Sequence, residues 1–249
     1  MFERVFAAPA SAVHERIWRE VFGPEYPVGI EPYSYISVTE LRRFGEEVKT
    51  GNGQCLVDVG CGRGGPGLWV AAATDARLIG IDIAESALTD ARRRAGQLGL
   101  AERAEFRQGS FEDTGLRDGS ADAVMSVDAL LFSPDKASAL IELGRVIAPG
   151  GRLVLTSWDY VSQPAGRPPQ VPDHRPLLDD AGFHTVVYEE TDAWRERQQR
   201  TGQALLGAVE ELSDESGEAP ESIRANIAEM NATLSQIIRR VFMVAERRG

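Results

Sequence analysis

Apolar and polar positions along this chain alternate between two kinds of run. Short, nearly unbroken apolar blocks, Leu56-Val57-Asp58-Val59 and Leu78-Ile79-Gly80-Ile81, have the pattern of buried strands. After them come stretches with helical spacing. One runs from about Glu85 to Leu98, opening near Ser86 and ending before Gly99. Another runs from about Pro134, a good first-turn residue, to Ile147, after which Gly150-Gly151 turns the chain into a further strand ending in Trp158-Asp159-Tyr160. His184 to Glu189 reads as one more strand. Strand and helix in alternation predict a doubly wound α/β sheet.

The flanks differ from this core. Residues 1–50 read as a helical N-terminal extension, with Val13, Ile17, Trp18 and Val21 at helical spacing and Gly23-Pro24 as the stop. A Pro- and Tyr-rich loop from Tyr26 through Pro32 to Tyr35 follows, then a helix from Thr39 to Val48. Gln163 to Pro176 predicts an ordered loop or a flexible cover. Within residues 191–240, Ala204, Leu205, Ala208, Val209 and Leu212 mark one amphipathic helix. Ile223, Ile227, Met230, Leu234 and Ile237-Ile238 mark another, with the acidic stretch Asp214 to Glu221 as a solvated turn between them. This pair is either a cap over a substrate pocket or a dimerisation element or plain sheet cover; periodicity does not separate these roles.

Composition narrows the partners. At 249 residues, 43% hydrophobic and a net charge of −11, the chain suits one α/β domain with additions and disfavours nucleic acid or an anionic membrane surface. The Arg92-Arg93-Arg94 run is read as a solvated helix face. Cys55 and Cys61 flank one strand without metal-like partners, so neither a disulfide framework nor a metal site is expected. With no signal-peptide pattern and no apolar run of transmembrane length, the expected location is cytoplasmic.

The chemistry concentrates at Asp58-Val59-Gly60-Cys61-Gly62-Arg63-Gly64-Gly65 and at Asp82, which closes the next strand 22 residues after Gly60. Glycines at a strand-to-helix turn let a ligand approach the backbone closely, and an ionised carboxylate offers acceptors to two ribose hydroxyls. The glycines also satisfy the dinucleotide fingerprint, but Asp58 near the mouth would repel a pyrophosphate and welcome a cationic amine or sulfonium. Here the sequence resembles the class I S-adenosylmethionine methyltransferases. Asp58 to Gly64 matches their acid-x-Gly-x-Gly-x-Gly turn and Asp82 their ribose acid. Ala121 to Leu130 matches their fourth strand and following loop, and Glu142 to Leu155 their helix, Pro-Gly-Gly turn and fifth strand. The resemblance covers roughly Cys55 to Val187. It implies a Rossmann-like, seven-stranded, mostly parallel sheet with an antiparallel last strand, best placed at Val241 to Ala245. It also implies a short helix at Leu177 to Phe183, a core of residues 51–190 and 241–249, a lid in the N-terminal extension and a helical insertion at 191–240.

That resemblance assigns S-adenosylmethionine as cofactor, leaving as S-adenosylhomocysteine, to Asp58, Gly60, Cys61, Gly62, Asp82, Ile83, Ser110, Phe111 and Val127. Gly109-Ser110-Phe111 departs from the family's Gly-Asp-Ala, so the adenine contact here is neutral: a Ser110 acceptor and a Phe111 ring. His174 is a candidate general base or an ordinary loop histidine. Asp128 either orients the acceptor or the cofactor amine, or caps a turn. Tyr26, Tyr33, Trp158 and Trp194 are candidate substrate contacts, each equally readable as packing. The expected activity is methyl transfer to a small, partly aromatic or apolar acceptor, on O or N rather than C, with a homodimer as a possible assembly. Two rivals remain: a cofactor-binding protein of this fold that transfers no methyl, and a nicotinamide oxidoreductase, which lacks a Tyr-x-x-x-Lys pair and fits Asp58 poorly.

Overall fold

The strand order places the crevice. In the computed structural model, which describes residues 3, 6, 8, 10–31 and 33–249, the strands are β1 (Cys55–Val59), β2 (Arg77–Asp82), β3 (Ala104–Gln108), β4 (Ala121–Val127), β5 (Ile147–Tyr160), β6 (Phe183–Glu190) and β7 (Ile237–Arg247). They form one sheet in the order β3-β2-β1-β4-β5-β7-β6. The chain winds outward from β1 through β2 to β3, then returns to β4 on the other side of β1. At that reversal the connections leave the sheet in opposite directions, and a crevice opens beyond the carboxyl ends of β1 and β4. β1 to β5 run parallel, while β7 lies antiparallel between β5 and β6.

Apolar strands buried on both faces require helices on both faces. On one side, α2 (Val38–Glu47), α3 (Gly65–Thr74) and α4 (Glu85–Gln97) bring Phe44, Leu68 and Leu88 onto Leu56, Leu78 and Phe242. On the other, α5 (Lys136–Val146) and α6 (Arg175–Asp180) bring Leu140, Leu143 and Leu178 onto Val57, Val124 and Leu155. Among the described residues, no helix is long and apolar enough to cross a membrane.

The flanks depart from expectation. Residues 191–240 hold three helices, α7 (Trp194–Gly207), α8 (Val209–Ser216) and α9 (Pro220–Thr233), not two. Ile237 and Ile238 are not helical: the chain leaves α9 through a 3-10 turn at Leu234–Gln236 and enters β7 four residues earlier than expected. The reason is cross-strand pairing, with Arg239 opposite Asp159 and Arg240 opposite Trp158. The insertion therefore ends at 236. Its helices pack on α1 (Ala12–Phe22), where Ile17, Trp18 and Phe22 meet Leu205, Val209 and Ile223. Residues 1, 2, 4, 5, 7, 9 and 32 of the predicted extension and loop lie outside the described residues.

One buried cation ties these parts together. The Arg240 guanidinium, 1% exposed, donates Nε to Asp128 Oδ1 at 2.9 Å, Nη2 to Asp128 Oδ2 at 3.1 Å and Nη1 to Glu40 Oε1 at 2.5 Å. Glu40 also closes a capping box with Ser37 at the start of α2. The two carboxylates raise the Arg240 pKa against the opposing cost of burial. Arg240→Ala should cost about 3–5 kcal/mol of unfolding free energy in a denaturant titration, because it strands two carboxylates. A loss below about 1 kcal/mol would mean that they find other partners.

Candidate active site

A cavity of about 630 Å³ occupies the crevice. That is within the usual size of small-molecule sites. All nine residues assigned from sequence to the cofactor line it: Asp58, Gly60, Cys61, Gly62 and Asp82 on the β1 and β2 side, and Ile83, Ser110, Phe111 and Val127 around the rim. Gly60 is at φ +72°, and a Cβ there would lie 2.5 Å from the Ala129 Cβ and 3.3 Å from the Phe111 ring. Only glycine both adopts that backbone and leaves the gap open.

The two acids differ in how they are held. Asp82 accepts the Gly62 amide on Oδ2 at 2.8 Å and the Ala84 amide on Oδ1 at 3.0 Å. Its oxygens are fixed in place, and each keeps a lone pair for a further donor. Burial raises its pKa, and the amides partly offset that. Asp58 is tucked beneath the first turn of α3, so close that a Cβ on Gly67 would collide with its carboxylate. Burial, and then the charge of Asp82, push Asp58 up to about 7. The Ser110 hydroxyl oxygen accepts the Glu112 and Asp113 amides at 3.2 and 3.1 Å. Its acceptor sites are thereby filled and the hydroxyl proton is free to donate, the reverse of the expected role. Cys61 is buried, its thiol pKa raised well above the ordinary value chiefly by burial.

The catalytic and substrate assignments fare differently. Asp128 lines the cavity in a left-handed backbone conformation, φ +51°, but its carboxylate is taken by Arg240 and by the Tyr35 amide at 2.9 Å. It shapes the floor and is not a free base. His174 is 0% exposed and does not line the cavity. Its Nδ1 shares a 2.8 Å hydrogen bond with Asp159 Oδ1, and its Nε2 lies 3.5 Å from the Ser157 hydroxyl. Tyr188 and Arg239 complete the shell around Asp159. The order Ser157, His174, Asp159 has the connectivity of a nucleophile triad, yet all three are 0% exposed, so the cluster is a structural knot between β5 and the chain before α6.

Tyr33 lines the cavity; Tyr26, Trp158 and Trp194 do not. Tyr26 packs against α1, while Trp158 and Trp194 meet edge to face at 5.6 Å with the Trp194 indole N–H on Glu190. The predicted cap is likewise off the cavity, since no residue of 191–240 lines it.

Several lining residues escaped the sequence reading. Arg63, inside the glycine turn, donates to Glu31 at 2.7 Å and to the carbonyls of Phe6 and Ala8 at 2.9 and 2.5 Å. It also stacks on Tyr33, and Arg94 joins Glu31 at 2.5 Å. Together they fasten the N-terminal segment over the cofactor side. On the opposite side Phe132, Ser133 and Arg167 line the wall. Only Arg63 carried a sequence signal, its place in the motif.

Residues 57–155 match the family described as Methyltransferase domain. That stretch belongs to the methyltransferase domain family. The chain is 36% identical over 124 residues to the chloroplastic tocopherol O-methyltransferase of Arabidopsis thaliana, covering 50% of this chain and 36% of that one. It is 30% identical over 128 residues to the sterol 24-C-methyltransferase erg6 of Aspergillus fumigatus, covering 51% and 34%. The chain thus spans less than half the length of these curated relatives. Among solved structures, the [4+2]-cyclase SpnF superposes with a TM-score of 0.75 at 20% identity, covering 95% of this chain and 93% of that one. The shared fold is the class I methyltransferase sheet, and the matched domain contains both acids and the glycine turn.

Within the domain's surroundings, His174→Ala should lower unfolding free energy by roughly 2–4 kcal/mol through a buried cavity and a weakened Asp159 network. It should leave nucleoside affinity at the crevice unchanged by calorimetry. A stable variant with weakened ligand binding would put the imidazole back at the site.

Proposed function

We propose that this protein is an S-adenosylmethionine-dependent methyltransferase acting on a small-molecule acceptor, with S-adenosylhomocysteine as the leaving product. The observation that carries the reading is Asp82, a carboxylate fixed by two backbone amides at the mouth of a glycine turn, across the crevice reversal from β4. Its remaining lone pairs suit a ribose diol. The gap at Gly60, the free hydroxyl proton of Ser110 and the Phe111 ring fit an adenine-bearing nucleoside. Asp58 fits the cationic amino acid end.

When bound, the cofactor supplies a sulfonium methyl group open to in-line displacement. This chain's own residues then position and enclose. Arg63 holds the Phe6 and Tyr33 segment over the cofactor side, and this cover excludes water. The Asp128 turn sets the floor with its carboxylate already paired. Every carboxylate lining the cavity has a partner among the described residues, and no histidine lines it. With no histidine at the wall, the reading favours an acceptor that needs little help in losing a proton, a neutral amine or an acidic oxygen, in keeping with O- or N-methylation. Alignment alone contributes several kcal/mol in such reactions. The acidic surface and two buried free cysteines accord with a cytoplasmic enzyme that binds no nucleic acid.

Asp82→Asn keeps the shape and loses the charge, and should weaken S-adenosylhomocysteine binding by about 10–100-fold in calorimetry, the worth of one or two charge-assisted hydrogen bonds. Unchanged affinity would remove the ribose assignment.

Asp58 adds a pH signature. With its pKa near 7 in the free protein, Asp58 is mostly protonated at pH 6. A cationic amine favours the carboxylate, so binding expels the proton and affinity rises with pH. Between pH 6 and pH 8 S-adenosylhomocysteine should bind up to about tenfold tighter, with proton uptake by buffer, and Asp58→Asn should flatten the profile. A flat wild-type profile would count against Asp58 as the amine's partner.

A further inference from the structure

Among the cations that line the cavity, one stands apart in how it is held. Glu31 is held by Arg63 and Arg94, Asp128 by Arg240, and Asp58 and Asp82 by backbone amides or the turn of α3. Glu112 accepts the Ser133 hydroxyl at 2.5 Å. Of the cations that line the cavity, Arg63 and Arg94 are spent on Glu31. Arg167 is different. Among the described residues no carboxylate lies within ion-pairing distance of its guanidinium, which instead sits 5.6 Å above the centre of the Phe132 ring.

The loop that presents it is built with unusual care for its composition. Gln163-Pro164-Ala165-Gly166-Arg167-Pro168-Pro169 lies in the stretch expected as an ordered loop or a flexible cover, and its carbonyls are gathered from within. Gln163 Nε2 donates to the carbonyls of Pro164, Arg167 and Pro168 at 3.0, 2.9 and 3.1 Å. From below, the buried Lys136 ammonium donates to the Pro169 carbonyl at 2.5 Å and to the Leu131 and Ser133 carbonyls at 3.3 Å. Gln170 ties the same loop to Leu131 at 2.8 Å. Lys136 thus clamps the Arg167 loop to the Phe132 turn, so the guanidinium and the ring form one preorganised face.

From this we infer that Arg167 recognises a carboxylate on the methyl acceptor, with Phe132 packing against the apolar body beside it. The inference rests on the reading of the cavity as a methyltransferase site. A guanidinium at the cavity wall with no carboxylate in ion-pairing distance among the described residues can take an anion, and its planar fork matches a carboxylate in two-point geometry. A single negative charge fits best, because Glu112, on Ser133 next to Phe132, opposes a second. Arg167 is thereby a specificity-determining residue for the acceptor; no proton or electron passes through it.

The test uses the full chain saturated with S-adenosylhomocysteine and two matched probes, 2-naphthoate and 2-naphthamide, titrated by calorimetry or ligand-observed NMR. The acid should bind at least about tenfold tighter than the amide, the scale of one charge-assisted contact. Arg167→Gln should abolish that preference and Arg167→Lys should keep part of it, while both retain wild-type affinity for S-adenosylhomocysteine as the check on folding. Equal binding of acid and amide, binding of neither, or an acid preference that survives Arg167→Gln would overturn the assignment. Failure of the wild type to bind S-adenosylhomocysteine would instead sink the methyltransferase reading, before either naphthyl probe is added.

Discussion

A guanidinium buried at the junction of the first and last parts of the chain is the constraint on which much of this structure depends. Arg240 can occupy the interior only if Glu40 and Asp128 are there together, since an unpaired buried ion costs several kcal/mol. Glu40 belongs to α2, Asp128 follows β4, and Arg240 lies on β7. One residue thus obliges the N-terminal extension, the Rossmann-like core and the late antiparallel strand to dock simultaneously. The consequence reaches the site directly. Holding Asp128 in its left-handed conformation aims the next residue, Ala129, at Gly60, where the missing side chain leaves the cradle open.

The same economy governs the carboxylates around the cavity. Glu31 and Asp128 are structural in effect, each neutralised by arginine, whereas Asp58 and Asp82 have no ion-pair partner among the described residues and are held by backbone groups. Amides and a helix N-terminus fix a carboxylate without quenching it as an ion pair would. The two acids that remain able to greet a cationic, hydroxyl-bearing ligand are thus the two in the glycine turn and at the end of the next strand. Lys136 shows the complementary solution for a buried cation: three carbonyls and no carboxylate, with burial pushing its pKa down to about 8.

How much of this could be read from sequence follows from range. The cofactor side is written in two short segments, since the spacing from Asp58 to Gly65 and the placing of Asp82 at a strand end are local facts that survive without knowledge of the fold. Strand identity in the core was legible for the same reason, as β1 and β2 are apolar runs. The pairings that decide the other roles span long separations: Arg240 with Asp128, Arg63 with Glu31, His174 with Asp159. No periodicity reports them. Ile237-Ile238 continued a helical pattern on paper and joined a strand in fact, because Asp159 and Trp158 lie opposite their neighbours. His174 looked like a base by residue type and loop position, and burial beside Asp159 removed it from the site. Arg167 stood in a Pro-rich stretch with no motif; its significance emerges only once the other arginines lining the cavity are found paired with Glu31.

A fold shared by a tocopherol-type methyltransferase domain and a [4+2]-cyclase places little demand on any one catalytic side chain. Both kinds of chemistry can proceed by holding reactive partners in a dry, shaped cavity, so the sheet alone does not distinguish them. In this chain the acids of the glycine turn and the next strand bear on nucleoside binding, which either chemistry can retain, so the distinction falls on the acceptor side. No histidine lines the acceptor side among the described residues, and selection there acts through shape and charge. Phe132, the Lys136-clamped loop and the cation it presents are where that selection is built.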